Sequence, residues 1–84
     1  MNLLFTKEAW EDYLYWRTQD KKVLKKINTL LKEITRTPFE GSGKPEALKH
    51  ALQGCWSRRI TQEHRLVYEV FDGEVHILSC RYHY

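Results

Sequence analysis

Apolar residues recur along this 84-residue chain with two different periods. Residues 2–5, Asn-Leu-Leu-Phe, read as a short strand. Thr6 then stands as a helix N-cap ahead of "KEAWEDYLYW". In that segment Trp10, Tyr13 and Leu14 fall at i, i+3 and i+4, flanked by Ala9 and Trp16. "TQD" at 18–20 predicts a tight break of about three residues, with Asp20 capping a second helix. The second helix carries the clearest period. Val23, Ile27, Leu30, Leu31 and Ile34 form one apolar face, and Lys22, Lys25, Lys26 and Lys32 occupy much of the remainder. So short a connection makes the two helices antiparallel neighbours.

The pattern stops at 37–46, "TPFEGSGKPE", where two prolines and two glycines in ten residues exclude regular structure. Beyond it the period shortens towards two. "ALKHAL" is a weak strand at best, "CWSRRIT" alternates moderately, and "HRLVYEVF" and "EVHILSCRYHY" flank Asp72-Gly73, a strong hairpin signal. The resulting order is strand, helix, helix, then an antiparallel meander. It predicts one α+β domain over residues 1–84: an N-terminal strand and a two-helix antiparallel hairpin packed on a mostly antiparallel sheet.

Composition narrows the classes. Hydrophobic residues make up 42% and charged residues 30%, which suits a small globular domain and not a disordered chain. No apolar run approaches the ~20 residues a membrane span needs, and the opening "MNLLF" lacks the features of a secretion signal, so a cytoplasmic location with no membrane partner is expected. Cys55 and Cys80 are isolated thiols, and the four histidines form no metal-ligand spacing with them; neither a disulfide framework nor a zinc site is expected. Lys and Arg number 14 against 11 acids, a net charge of +3 that is compatible with nucleic acid without demanding it.

More polar groups follow the long loop than a packed domain needs. The loop region carries Lys44, Glu46 and Lys49. The β region carries Arg58, Arg59, His64, Arg65 and Arg81, and the end carries His83 and Tyr84. Basic side chains on a sheet, interleaved with Trp56, Tyr82 and Tyr84, are the residue types that contact phosphate and stack on bases. Singly, each of them also reads as an ordinary surface residue.

"RTPFEGSGKPEALKH", "WSRRITQEHRLVY" and the terminal "CRYHY" together resemble the YoeB branch of the RelE-like toxins, over the whole chain. The resemblance implies the toxin of a type II toxin–antitoxin system, a ribosome-dependent endoribonuclease that cuts mRNA in the A site of the 70S ribosome. It also implies a YefM-type antitoxin as partner, and operator DNA bound only through that antitoxin. By the same resemblance Glu46 is the general base, His83 the general acid and Arg65 the residue that stabilises the scissile phosphate. Lys49, Arg59 and Tyr84 support substrate binding. Cys55 departs from the pattern, standing where a larger apolar residue is expected beside Trp56. No cofactor and no metal is implied, because RNA brings its own nucleophile in the 2′-hydroxyl. A carboxylate can take the 2′ proton, arginine and lysine can stabilise charge on phosphorus, and an imidazolium can protonate the leaving 5′ oxygen. The alternative reading is a non-catalytic RNA- or protein-binding module, or a co-repressor bound to DNA with its antitoxin.

A shared site also sets a condition on the hairpin. With a plain two-residue turn, Phe71 faces Glu74, Arg65 faces Cys80 and His83 points to the opposite side of the sheet. With Gly73 in a G1 bulge, Val70 faces Glu74, Arg65 faces Ser79, and Arg81 and His83 join Arg65 on one side. A bulge in this hairpin, or a break in pairing before His83, is therefore expected.

Overall fold

The computed structural model describes residues 1–82. Strand β1 (Asn2–Phe5) leads into helices α1 (Lys7–Gln19) and α2 (Lys21–Ile34), and four strands follow: β2 (Glu46–Ala47), β3 (Trp56–Arg59), β4 (Arg65–Phe71) and β5 (Glu74–Ser79). They form one sheet in the order β1-β5-β4-β3-β2. Among the described residues only β1, which lies parallel to β5, departs from antiparallel pairing.

Both helices start where a side chain satisfies their free N–H groups. Thr6 Oγ1 accepts from the Ala9 amide, and Asp20 Oδ1 accepts from Lys22 and Val23. Asp20 alone separates the helices, so the break is one residue and not three. Asp20 ends one helix and caps the next, and Thr18 and Gln19 complete the last turn of α1. The five apolar positions expected for α2 are all buried. In α1 the buried stripe is Ala9 and Trp16, while Trp10 stays 48% exposed. Aromatic residues ring this helix, so its own period does not select a face; packing does.

The core lies between the helices and one face of the sheet, with Ile27, Leu30 and Ile34 against Leu66, Tyr68, Val75 and Ile77. Each fully buried side chain of this kind contributes ~1.5–3 kcal/mol. A second, smaller cluster of Leu48, Cys55 and Val67, flanked by Leu52 and Leu78, packs separately from the helix-side core. The loop before β2 has few apolar anchors and is held by Arg58. That side chain is fully buried, and all its donors are used. Nε donates to Tyr68 Oη, Nη1 to Glu33 Oε1 (2.7 Å) and the Ser42 carbonyl, and Nη2 to the carbonyls of Thr37 and Glu40. Hydrogen bonds from Ser42, and the Arg58 guanidinium, hold the Glu33 carboxyl below its ordinary range.

The β4–β5 hairpin combines the two registers considered above. Phe71 faces Glu74, and both turn residues take positive φ (Asp72 55°, Gly73 74°), which is a plain two-residue turn and not a G1 bulge. The register then shifts: Tyr68 faces Ile77 but Val67 faces Ser79, leaving Leu78 as an extra residue in β5. The hairpin therefore does contain a bulge, at Leu78, five residues beyond the Gly73 expected to supply it. Neither sequence register places Ser79 correctly, since it lies opposite Val67 and not Arg65.

Candidate active site

The pairing of β2, β3 and β4 assembles polar groups on the sheet face turned away from the helices. Along β3, Trp56 and Arg58 face the core, so Ser57 and Arg59 face the other way. Ser57 pairs with Glu46 on one side and Val67 on the other, and Arg59 pairs directly with Arg65. Directly paired Cβ atoms lie about 4.5–5.5 Å apart and diagonal ones about 7–8 Å. Glu46 therefore stands diagonal to Arg59, with Arg65 one strand further. Lys49 follows two residues after β2 and is exposed. Leu48, anchored through its N–H to the Cys55 carbonyl (2.9 Å), holds that segment against the sheet. Glu46, Lys49, His50 and Leu52 line a shallow depression there.

The electrostatics of this face are unusual. Like charges directly opposite one another on paired strands are destabilising. Among the described residues neither Arg59 nor Arg65 forms an ion pair with a carboxylate. Arg65 Nη1 instead donates to the carbonyls of Thr61 (2.8 Å), Gln62 (3.0 Å) and His64 (3.1 Å), which fixes the half-buried guanidinium in place without neutralising it. Two arginines at directly paired positions on one sheet face are the residue type suited to bidentate contact with a phosphate.

The sequence-predicted residues divide accordingly. Glu46, Arg59 and Arg65 come together on one face, with Lys49 at its edge. His83 and Tyr84 lie outside the described residues. Arg58, counted from sequence among the basic groups of the β region, contacts no solvent and fastens the loop. Trp56, counted among the stacking residues, is half-buried on the helix side beneath Phe39, 4.9 Å between ring centres. Arg81 does not join Arg65; its guanidinium lies 3.5 Å above the Tyr15 ring of α1.

Sequence reasoning missed how the end of the chain is held. The Cys80 N–H donates to Asp12 Oδ2 (3.0 Å), and Trp16 Nε1 donates to the Cys80 carbonyl (2.8 Å). Next, the Tyr82 N–H donates to His64 Nδ1 (2.8 Å), and the Arg65 N–H donates to the Tyr82 carbonyl (3.0 Å). No local pattern announces contacts spanning 64 or 68 residues of sequence. Alternation through Trp56-Ser-Arg-Arg59 could have separated Arg58 from Arg59, since Trp56 marks the even positions as core-facing.

Comparison with known proteins agrees with the fold. A model described as the YoeB-like toxin of bacterial type II toxin-antitoxin systems matches residues 5–84. Toxin YoeB of Escherichia coli K12 is 62% identical over 84 residues, covering 100% of both chains. A YoeB/ParE toxin from Agrobacterium tumefaciens superposes with a TM-score of 0.95 at 46% identity, again over 100% of both chains. The toxin in a YoeB-YefM complex from Staphylococcus aureus does so at 0.91 and 54% identity, over 100% of this chain and 98% of that one.

Proposed function

This chain belongs to the YoeB-like toxins of bacterial type II toxin–antitoxin systems, and from that premise we propose that it is a ribosome-dependent endoribonuclease cutting mRNA in the A site. The observation that carries the reading is the direct pairing of Arg59 with Arg65 on one sheet face, with Glu46 diagonal to Arg59 on the same face and Lys49 at its edge. The scissile phosphate binds between the two arginines. Glu46, as general base, takes the proton of the 2′-hydroxyl, whose oxygen attacks phosphorus. Charge grows on the phosphoryl oxygens, where Arg65, Arg59 and Lys49 meet it. His83 protonates the departing 5′ oxygen, and Tyr84 positions the substrate. The products are a 2′,3′-cyclic phosphate, or the 3′-phosphate from its opening, and a 5′-hydroxyl. The nucleophile belongs to the RNA, so the chemistry calls for no metal and no cofactor.

The ribosome holds the mRNA, and the protein acts in the cytoplasm. A YefM-type antitoxin silences it and accounts for any operator binding. An antitoxin segment that is acidic and apolar, folding as it binds, fits the basic face around Arg59 and Arg65. The test is His83→Gln in single-turnover cleavage of ribosome-bound mRNA. The rate is expected to fall at least ~100-fold, with folding and antitoxin binding intact. A variant as fast as wild type refutes the general-acid role and favours a binding module.

A further inference from the structure

One residue connects the phosphate-binding arginine to the chain segment that ends in His83. The His64 carbonyl accepts from Arg65 Nη1 (3.1 Å), and the His64 ring accepts at Nδ1 from the Tyr82 N–H (2.8 Å). The ring itself is held edge-on against Trp16, 4.7 Å between centres, and Trp16 Nε1 binds the Cys80 carbonyl. Tyr82 sits at φ 64°, in the left-handed region that a residue with a Cβ adopts only when its surroundings over-determine it. Two hydrogen bonds do so here. His64 takes the Tyr82 N–H, and the Arg65 N–H takes the Tyr82 carbonyl. Tyr82 hardly holds itself by burial, being 58% exposed. The turn at Tyr82 is thus imposed by two consecutive residues of β4 and its approach, one of which carries the phosphate-binding guanidinium.

We infer that His64 is a positioning residue: through Nδ1 it locks the left-handed turn at Tyr82 and thereby fixes the peptide that leads into His83. The inference rests on the ribonuclease reading given above. It requires the neutral ring with its proton on Nε2, because a donor at Nδ1 would oppose the Tyr82 N–H. His64 touches no reacting atom in this scheme. Its effect is to fix the Tyr82 backbone, one residue before the general acid, against the start of β4, and misplacement of a reacting group by about 1 Å can cost ~100-fold in rate.

The experiment is single-turnover cleavage on programmed ribosomes, with rate at saturation and half-saturation measured separately. His64→Leu removes the acceptor and is expected to lower the saturating rate ~10- to 100-fold, with half-saturation within about twofold. His64→Asn places Oδ1 near the Nδ1 position and is expected to recover most of that rate. Tyr82→Pro attacks the same contact from the donor side: it deletes the N–H and forbids positive φ. It lies at the chain end, so it tests the turn even if His64→Leu impairs folding. The His64→Leu/Tyr82→Pro double variant should be no slower than the worse single, since Tyr82→Pro already removes the contact that His64→Leu breaks. Added to His83→Gln, either change should cost nothing further. A wild-type rate in both single variants, or fully additive losses, overturns the clamp. If His83→Gln is itself as fast as wild type, the acid assignment fails, and the clamp fails with it for a distinguishable reason.

Discussion

Arg58 and Arg59 are consecutive and chemically identical, yet the sheet gives them opposite tasks, and replacing each with Met separates them. In Arg58→Met the guanidinium disappears from a fully buried site where it serves Tyr68, Glu33 and three loop carbonyls. Losing the five hydrogen bonds of one buried guanidinium costs on the order of 3–5 kcal/mol, and the Glu33 carboxylate left behind is 30% exposed, so water rehydrates it. The orphaned carbonyls belong to Thr37, Glu40 and Ser42, exposed residues that water can reach, so the lower end applies, about 3 kcal/mol. A domain of this size is stable by roughly 4–13 kcal/mol, so the loss is a quarter of the total or more. The midpoint of thermal unfolding should drop by about 12–24 °C. Arg59→Met removes an exposed side chain that opposes Arg65, and its effect should stay within ~0.5 kcal/mol, with relief of repulsion favouring a gain. Urea unfolding followed by tryptophan fluorescence reads both variants, because Trp56 packs against Phe39 of the loop that Arg58 fastens. An Arg58→Met domain within 1 kcal/mol of wild type, on the order of an ordinary surface change, refutes the fastening role. So does an Arg59→Met domain that loses as much as Arg58→Met.

Four further outcomes follow from the same geometry. Arg65→Ala should lower the cleavage rate more than it weakens ribosome binding, because phosphoryl charge peaks in the transition state. Changes at Lys22, Lys25 or Lys32 should weaken association in a salt-dependent way and leave the saturating rate alone; rate and binding measured against ionic strength decide. Burial, with Asp12 nearby, pushes the Cys80 thiol from its ordinary value near 9 up to about 12. Unfolded chains lose that proton first, so stability should be level below pH 9 and fall between about pH 9 and 12. Denaturant titrations of wild type and Cys80→Ala across that range should differ in slope. Gly73→Ala meets no atom within 4 Å but must keep φ 74°, so it should destabilise by ~1 kcal/mol through backbone strain alone, measured by equilibrium unfolding.

Local chemistry in the sequence was sufficient for every element that depends on near neighbours. Thr6 and Asp20 cap the helices as their types and positions require, because a cap is a contact over two or three residues. The period of Val23 to Ile34 selected the buried face of α2, since that helix has one apolar stripe and no competitor. Asp72-Gly73 determined its turn for the same reason, each residue tolerating positive φ. Glu46, Lys49, Arg59 and Arg65 were legible as candidates through their resemblance to a family, while their meeting on one face came from strand pairing. Tertiary structure alone decided the rest. The bulge at Leu78 sets which β5 residue faces Val67, and a register shift of one residue has no local signature. Alternation from Trp56 separates Arg58 from Arg59, but the partners Arg58 meets, Glu33 of α2 and the loop carbonyls, come together only in the packed domain. The hold on Cys80 and Tyr82 by Asp12, Trp16 and His64 joins segments far apart in the chain, and such pairings exist only once the sheet and helix α1 have packed.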